Sequence, residues 1–172
     1  MELKELSKKV MNLFSISSVQ DLGDALMECV NENNEAKMMQ FVDAVGGDLS
    51  VDWLQKIYQY YCADREEKKQ DYTPKCLAQF LSRLIGDSEE TIDMCAGSGA
   101  LTIQRWAENR DTEFILYEID EKVIPYLIFN MVIRNIPAII NQTDILQNET
   151  VNAWKIRRGE RFGKVTNIKS SV

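Results

Sequence analysis

Residues 90–118 read ETIDMCAGSGALTIQRWAENRDTEFILYE, and this segment switches between two kinds of pattern. Residues 91–95 predict a short buried strand, residues 100–109 a helix, and residues 113–118 a second strand. A strand that leads through a glycine turn into a helix, and from there into another strand, is typical of a parallel sheet with right-handed crossovers. The segment therefore predicts an α/β fold.

The same alternation continues toward the C-terminus. Asp120 is expected to cap a helix whose apolar face carries Leu127 and Met131, and residues 138–140 predict a third strand. Residues 163–168 are a candidate for a fourth strand. From residue 90 onward the sequence thus predicts strands joined by helices.

The first 65 residues predict helices instead. Apolar residues recur at helical spacing until Gly46-Gly47, which predicts a helix end, and Asp48 or Ser50 is expected to cap the helix that follows. The charged run 64–71 predicts an exposed connection. We therefore divide the chain into a helical region over 1–65 and an α/β domain over 66–172.

A further helix is expected directly after this connection. Thr73 is a candidate N-cap, and Pro74 suits the first helical position because its missing N–H costs nothing there. Gly86 predicts the end of this helix.

Composition excludes several kinds of chemistry. The chain contains no histidine, which rules out histidine bases, triads and metal ligands, and we predict no metal site. No apolar run is long enough to span a membrane, and the charged N-terminus lacks a signal segment, so we expect a cytoplasmic protein. The four cysteines form no C-x-x-C pair and are expected to be reduced thiols in or near cores; they are Cys29, Cys62, Cys76 and Cys95.

The net charge of −7 argues against strong DNA binding by this chain alone. Positive charge is nevertheless concentrated near the C-terminus, at Lys155, Arg157, Arg158, Arg161, Lys164 and Lys169. This basic segment is interpreted either as a solvated tail or as a patch that faces phosphate or a partner.

The glycine turn is the candidate binding site. Gly97 and Gly99 follow a strand and precede a helix, where backbone N–H groups and the absence of side chains let a ligand approach closely. Glu118 ends the next strand, which is where nucleotide-binding α/β folds place an acid on a ribose diol. A nicotinamide cofactor fits less well, because Gly97-Ser98-Gly99 lacks the third small residue of the dinucleotide fingerprint. Asp93, four residues before Gly97, suits a ligand with a positively charged amino group.

These residues resemble a known family in four ordered segments. DMCAGSG at 93–99 is similar to the first motif of class I methyltransferases, and particularly to adenine-N6 DNA methyltransferases such as the modification subunits of type I restriction systems. DYTP at 71–74, YEID at 117–120 and TDIL at 143–146 resemble further motifs of that family, in the same order. The resemblance implies a Rossmann-like sheet and S-adenosylmethionine as cofactor.

The resemblance also implies roles for individual residues. The segment Tyr72-Thr73-Pro74 would meet the carboxylate of the cofactor, and Asp93 its amino group. Cys95, Ala96, Gly97 and Gly99 would pass under the methionine portion, and Glu118 would hold the ribose. Asp144 would accept from the adenine amine, with Ile119 and Ile145 on the two faces of the ring.

One element of the family is missing. Adenine methyltransferases of this kind carry an Asn-Pro-Pro-aromatic motif that handles the flipped target base. Here the prolines are Pro74, Pro125 and Pro137, none adjacent, and Asn167 precedes isoleucine. We therefore assign no catalytic residue and regard the sequence as truncated before that motif.

Three functions remain open after this comparison. The first is a DNA adenine-N6 methyltransferase-like protein that is inactive alone or needs a protein partner or a second copy. The second is a non-catalytic cofactor-binding or regulatory module of a restriction-modification assembly. The third is a small-molecule methyltransferase, which explains the Tyr72-Thr73-Pro74 segment less well.

Overall fold

The computed structural model describes residues 3–61, 73–86 and 88–169. Seven α-helices occur in these ranges: α1 Leu3–Phe14, α2 Leu22–Asn31, α3 Glu35–Ala44, α4 Trp53–Tyr61, α5 Lys75–Ile85, α6 Ala100–Glu108 and α7 Ile124–Ile133. A short 3-10 helix, Val19–Asp21, precedes α2. Five strands accompany them: β1 Glu90–Asp93, β2 Glu113–Glu118, β3 Ala138–Asp144, β4 Glu149–Arg157 and β5 Lys164–Lys169. None of the described helices is long and apolar enough to cross a membrane.

The five strands form one sheet in the order β1-β2-β3-β4-β5. β1, β2 and β3 run parallel, as the sequence predicts, and the α/β, Rossmann-like fold class is confirmed. β4 and β5 run antiparallel and make the sheet mixed, which the sequence interpretation did not anticipate. The basic segment is therefore not a tail, because most of it belongs to the β4–β5 hairpin.

The N-terminal helices pack on the same core as the sheet. Phe129 of α7 is fully buried and meets Phe14 and Phe41 edge to face, with ring centroids 5.9 and 5.3 Å apart. Tyr58 of α4 meets Tyr126 of α7 in the same way at 5.0 Å. One continuous cluster of buried apolar residues thus joins α1–α4 to α7 and the strands, while the boundary at residue 65 stays a prediction.

Three predicted helix caps differ from the structure. The N-cap of α5 is Pro74, not Thr73, and no side chain caps this end. Asp120 lies in a turn before α7, where its carboxylate accepts from Lys122 N–H, and the helix begins only at Ile124. Asp52 takes the role expected of Asp48 or Ser50, since its carboxylate accepts from the Gln55 N–H in the first turn of α4. α4 thus has a polar cap at a different residue, whereas α5 and α7 begin after the apolar N-caps Pro74 and Val123 without a side-chain cap.

A buried polar network connects the N-terminal region to the rest. The Asp52 carboxylate accepts from the Ser98 hydroxyl at 2.7 Å and from the Asn130 amide at 3.0 Å. Arg134 donates to Asn130 Oδ1 at 2.8 Å and to the carbonyls of Leu49 and Val51. Burial raises the pKa of Asp52, against the opposing effects of Arg134 and the donated hydrogen bonds, and lowers the pKa of Arg134 to about 10. These four side chains, Asp52, Ser98, Asn130 and Arg134, are called the Asp52 network below.

Replacing Arg134 with methionine should destabilise the fold strongly. The substitution leaves the Asp52 charge buried without its cation and two carbonyls without their donor, so we expect a loss of about 3–5 kcal/mol in the free energy of unfolding. Arg158→Met is the matched control, because Arg158 is half-exposed and meets Asp111 at 3.6 Å on the surface; a loss below about 1 kcal/mol is expected. Urea denaturation measures both, and similar losses would show that the network is not a principal constraint.

Candidate functional site

The glycine loop connects β1 to α6 and has a backbone conformation that favours glycine at two positions. Gly97 and Gly99 both have positive φ, +54° and +97°, where side chains are unfavourable. The Gly99 N–H donates to the Ala96 carbonyl at 2.8 Å, and Gly99 is the N-cap of α6. The sequence prediction of a strand, glycine turn and helix is confirmed in this segment.

The two glycines meet different surroundings. A Cβ on Gly99 would lie 2.8 Å from Met131 Cε and 3.0 Å from Leu127 Cδ1, so α7 packs directly against this position. A Cβ on Gly97 would meet no described atom within 4 Å. Gly99 therefore lies close to the side-chain ends of Met131 and Leu127, whereas Gly97 leaves space beside the backbone that a ligand can enter.

Glu118 clamps the loop to the end of β2. Its Oε2 accepts from the Gly97 N–H at 2.8 Å, and its Oε1 accepts from the Asp120 N–H at 2.8 Å. The Tyr117 carbonyl adds a third connection by accepting from Ala96 N–H at 2.9 Å. The structure thus brings two predicted site elements into direct contact. A carboxylate has about four acceptor sites, so Glu118 retains capacity for ligand hydroxyls.

Asp93 has an unsatisfied oxygen next to the same loop. Its Oδ1 accepts from the Cys95 N–H at 3.1 Å, while its Oδ2 is buried and has no described hydrogen-bond partner. Burial raises the pKa of Asp93, and the bond from Cys95 opposes that shift only in part. A buried, unpaired carboxylate oxygen is costly, and a cationic donor is the group that would relieve the cost.

The acids of the second and third strands lie at one edge of the sheet. β2 and β3 are parallel, Glu118 is opposite Gln142, and Asp144 follows two residues later at the end of β3. The Asp144 carboxylate accepts from the N–H groups of Leu146 and Gln147 within the turn to β4. Asp144 therefore lies on the predicted edge, with its described hydrogen bonds inside its own turn.

The remaining predicted residues are placed as follows. Ile119 is exposed, Ile145 is half-buried, Ala96 is buried and Cys95 is exposed. Thr73 is half-buried and Pro74 is exposed at the start of α5, while Tyr72 lies outside the described residues. Among the described cysteines Cys29 is buried, but Cys76 and Cys95 are exposed, so the expectation of core thiols is wrong for those two; Cys62 lies outside the described residues.

Sequence reasoning missed the buried residues that form hydrogen bonds to the glycine loop. Ser98 is buried inside the loop and donates to Asp52, and the Ser98 carbonyl accepts from Asn130 at 2.9 Å. A usable signal was present at α7, where Asn130 interrupts an otherwise apolar helix and Arg134 follows four residues later as its C-cap. Polar residues on a helix buried on all sides need partners, which here are the loop and residues 49–52.

These features define an α/β protein with a nucleotide-type glycine loop whose first two parallel strands end in acids. A family model described as N-6 DNA Methylase matches residues 49–167, which is more than half of the chain. The chain belongs to the N-6 DNA methylase family. Neither the comparison with curated proteins nor the comparison with solved structures found a match.

Alanine substitutions at Gly97 and Gly99 should differ in their cost to stability. Gly99→Ala combines an unfavourable φ with close contacts to the side-chain ends of Met131 and Leu127, and we expect it to reduce the free energy of unfolding by about 2 kcal/mol. Gly97→Ala carries only the backbone penalty, about 1 kcal/mol. Urea denaturation checks both values, and an equal cost would contradict the packing of α7 against Gly99.

Asp93→Asn should stabilise the ligand-free chain. The variant keeps an acceptor for Cys95 N–H and removes a desolvated charge, and we expect a gain of about 1 kcal/mol at neutral pH. Because burial raises the pKa of Asp93 in the folded chain, the penalty is present above that pKa and is relieved as the pH falls through it. The gain should therefore shrink as the pH falls through that pKa and vanish below the unfolded-state pKa of about 3.9, where the carboxyl is protonated in both states. Thermal denaturation across pH measures this gain, with Glu113→Gln at the exposed start of β2 as a control. A constant gain would refute the explanation.

Proposed function

We propose that this chain binds S-adenosylmethionine at the carboxyl edge of β1–β3 as the cofactor-binding part of a DNA adenine-N6 methyltransferase. Membership of the N-6 DNA methylase family supports the reaction class, and members of that family use this cofactor. The observation that carries the proposal is the buried, unpartnered Asp93 Oδ2 beside a glycine loop clamped by Glu118.

The residues present fit this cofactor group by group. Asp93 Oδ2 accepts from the ammonium of the methionine portion, which supplies the missing cationic donor. The open space at Gly97 admits the ligand beside the backbone, and Glu118 accepts from the ribose hydroxyls with its remaining lone pairs. Asp144, Ile119 and Ile145 lie on the adenine side, and the uncapped N–H groups of α5 after Thr73 and Pro74 suit the carboxylate.

Bound S-adenosylmethionine supplies an electrophilic methyl group for the exocyclic amine of adenine. The role of this chain is to bind and orient the cofactor. Glu118 and Asp120 fix the loop, and Ser98 anchors the loop to Asp52. These 172 residues contain no Asn-Pro-Pro-aromatic segment to hold the target amine. We therefore propose that the chain does not methylate DNA by itself and requires a partner that supplies this segment.

A non-catalytic role is the second candidate, and the missing Asn-Pro-Pro-aromatic segment is the observation that favours it. A cofactor-binding regulatory module of a restriction-modification assembly needs the glycine loop and its clamp but no groups for base chemistry. The two candidates share the binding site and differ in whether a partner restores methyl transfer.

Two ligands, one with and one without the amino-acid portion, test the proposed site. S-adenosylmethionine carries the amino-acid portion, whereas methylthioadenosine retains the ribose and adenine but lacks the amino group. Asp93→Asn should lower the affinity for S-adenosylmethionine about 10- to 100-fold, because it removes a charge-assisted hydrogen bond. The affinity for methylthioadenosine should stay unchanged. Glu118→Gln should lower the affinity for both ligands, because Glu118 is the proposed acceptor for the ribose hydroxyls and also accepts from the Gly97 N–H of the loop.

Isothermal titration calorimetry measures these affinities, with Glu113→Gln at the other end of β2 as a matched control. Absence of heat with wild-type protein at millimolar S-adenosylmethionine would sink the cofactor proposal. Equal weakening of both ligands by Asp93→Asn would refute the role of Asp93. Transfer of a labelled methyl group to DNA by the isolated chain would overturn the requirement for a partner.

A further inference from the structure

The β4–β5 hairpin concentrates positive charge in an acidic chain. Residues 155–169 carry six lysines and arginines and a single acid, Glu160, although the whole chain has a net charge of −7. β5 runs in the same direction as β3, because each of them pairs antiparallel with β4, so Lys169 ends β5 at the same edge of the sheet as Asp144. Basic residues therefore follow the hairpin from its turn to the edge that carries the candidate cofactor site.

Three of these basic side chains lie on the face of the hairpin that points away from the core. Ile156 is buried and Val165 packs against the core cluster, and the register places these two residues opposite each other. Since the side chains of a strand alternate between its two faces, Lys155, Arg157 and Lys164 lie on the other face. Arg157 and Lys164 are exposed there, and Lys155 is half-buried.

The positive charges on this face are not neutralised by the fold. Arg157 and Lys164 are directly opposite each other in the two strands, and like charges in such positions are destabilising. Within the described part of the chain neither side chain takes part in an ion pair, and the same holds for Arg161, which is exposed in the turn. An anion bound between these side chains would offset their repulsion, so the face suits a negatively charged ligand.

The turn between β4 and β5 is anchored to the rest of the fold. Gly159 and Asn135 exchange two hydrogen bonds, at 2.9 and 3.0 Å, and the Gly163 N–H donates to the Val132 carbonyl at 2.8 Å. Phe162, between the two anchored glycines, is buried. The basic side chains of the turn therefore project from a fixed backbone, which reduces the entropy that is lost when they bind a ligand.

The extent of the basic surface favours a nucleic-acid backbone over a small anion. Lys164 and Lys169, which begin and end β5, are about 17 Å apart along the strand. A small anion cannot reach both, whereas duplex DNA carries one negative charge per about 1.7 Å of its axis. Arginine guanidinium groups match the geometry of phosphate, and membership of the N-6 DNA methylase family favours DNA over an acidic protein as the polyanion.

We propose that the β4–β5 hairpin binds the phosphate backbone of duplex DNA, with Arg157, Arg161 and Lys164 as the principal contacts. The acids at the carboxyl edge of the sheet, Glu118 and Asp144 among them, repel phosphate and direct the duplex to the hairpin beside that edge. Phosphate contacts position DNA without reading its sequence, so the binding is sequence-independent and sensitive to salt. The choice of DNA rests on the proposed function, which requires DNA close to the cofactor.

Fluorescence anisotropy with labelled DNA tests the surface in the absence of cofactor. The probe is a fluorescein-labelled duplex of about 20 base pairs, and we expect the full chain to bind it with a Kd on the order of 10 μM at about 50 mM salt. A second duplex of unrelated sequence should bind with the same affinity to within about twofold, because the contacts are made to phosphates. The affinity should fall steeply as the salt concentration rises.

Three variants locate the binding. The double variant Arg157→Gln/Lys164→Gln should lower the affinity about tenfold and reduce the slope of log affinity against log salt by about two, one for each phosphate contact. Arg161→Gln should reduce that slope by about one. Lys4→Gln/Lys8→Gln is the matched control, since both lysines are exposed on α1 and the net charge changes equally, and it should bind like wild type.

Thermal denaturation separates a role in binding from a role in the fold. Arg157→Gln/Lys164→Gln removes two like charges that face each other, so its Tm should be equal to or above that of the wild type. A loss of DNA affinity without a fall in Tm supports the proposal. A fall in Tm that accompanies the loss would show that these side chains serve the fold, and Arg161→Gln then carries the test.

Several outcomes would overturn the proposal. No binding of either duplex at low salt would exclude the hairpin as a DNA surface, and an equal loss of affinity in the Lys4 and Lys8 control would show that only net charge matters. A labelled glutamate peptide that binds as tightly as DNA, and that also loses affinity in the hairpin variant, would identify an acidic protein as the ligand. Because the titrations contain no cofactor, their failure leaves the cofactor proposal intact, and a failure of calorimetry with S-adenosylmethionine leaves the DNA result intact.

Discussion

The buried carboxylate of Asp52 is the constraint on which the other parts of the structure depend. It is bonded to Ser98 in the glycine loop and to Asn130 in α7, and Arg134 joins Asn130 to the carbonyls of Leu49 and Val51. Buried charges are tolerated only when their partners stay in place. Three segments distant in sequence must therefore assemble together. The family match begins at residue 49, directly before this network.

The two carboxylates next to the loop are in opposite electrostatic situations, although they end neighbouring strands. Glu118 already accepts two backbone N–H groups and holds the loop in shape. Asp93 accepts one and keeps a second oxygen buried without a partner, a state that burial makes unfavourable for its charge. Glu118 thus stabilises the loop. Asp93 carries an unfavourable buried charge that a cationic ligand group can offset. This division of roles follows from the direction of each side chain rather than from residue type.

The sequence predicted those parts of the fold that depend on neighbouring residues. The glycine loop, the strand ending at Glu118 and the parallel pairing of β1–β3 follow from local patterns and from chain order. The Asp52 network was missed because Asp52 and Asn130 are 78 positions apart in sequence, and no local pattern connects them. β4 was missed because Lys155 and Arg157 resemble a charged tail, although Ala153 and Ile156 are buried on that strand. The predicted caps at Thr73 and Asp120 were wrong because α5 and α7 begin later, after the apolar N-caps Pro74 and Val123.

β1 is an edge strand of the described sheet and also carries part of the candidate cofactor site. It ends at Asp93, whose carboxylate accepts from the Cys95 N–H beside the glycine loop. The β4–β5 hairpin occupies the far side of β3, and the lysines of β5 disfavour growth there, which leaves β1 as the side on which the sheet can be extended. A strand added parallel to β1 would end at the same edge as Asp93, Glu118 and Asp144, because parallel strands bring their carboxyl ends together. Groups that these 172 residues lack would then enter beside the proposed cofactor site rather than at a distant surface.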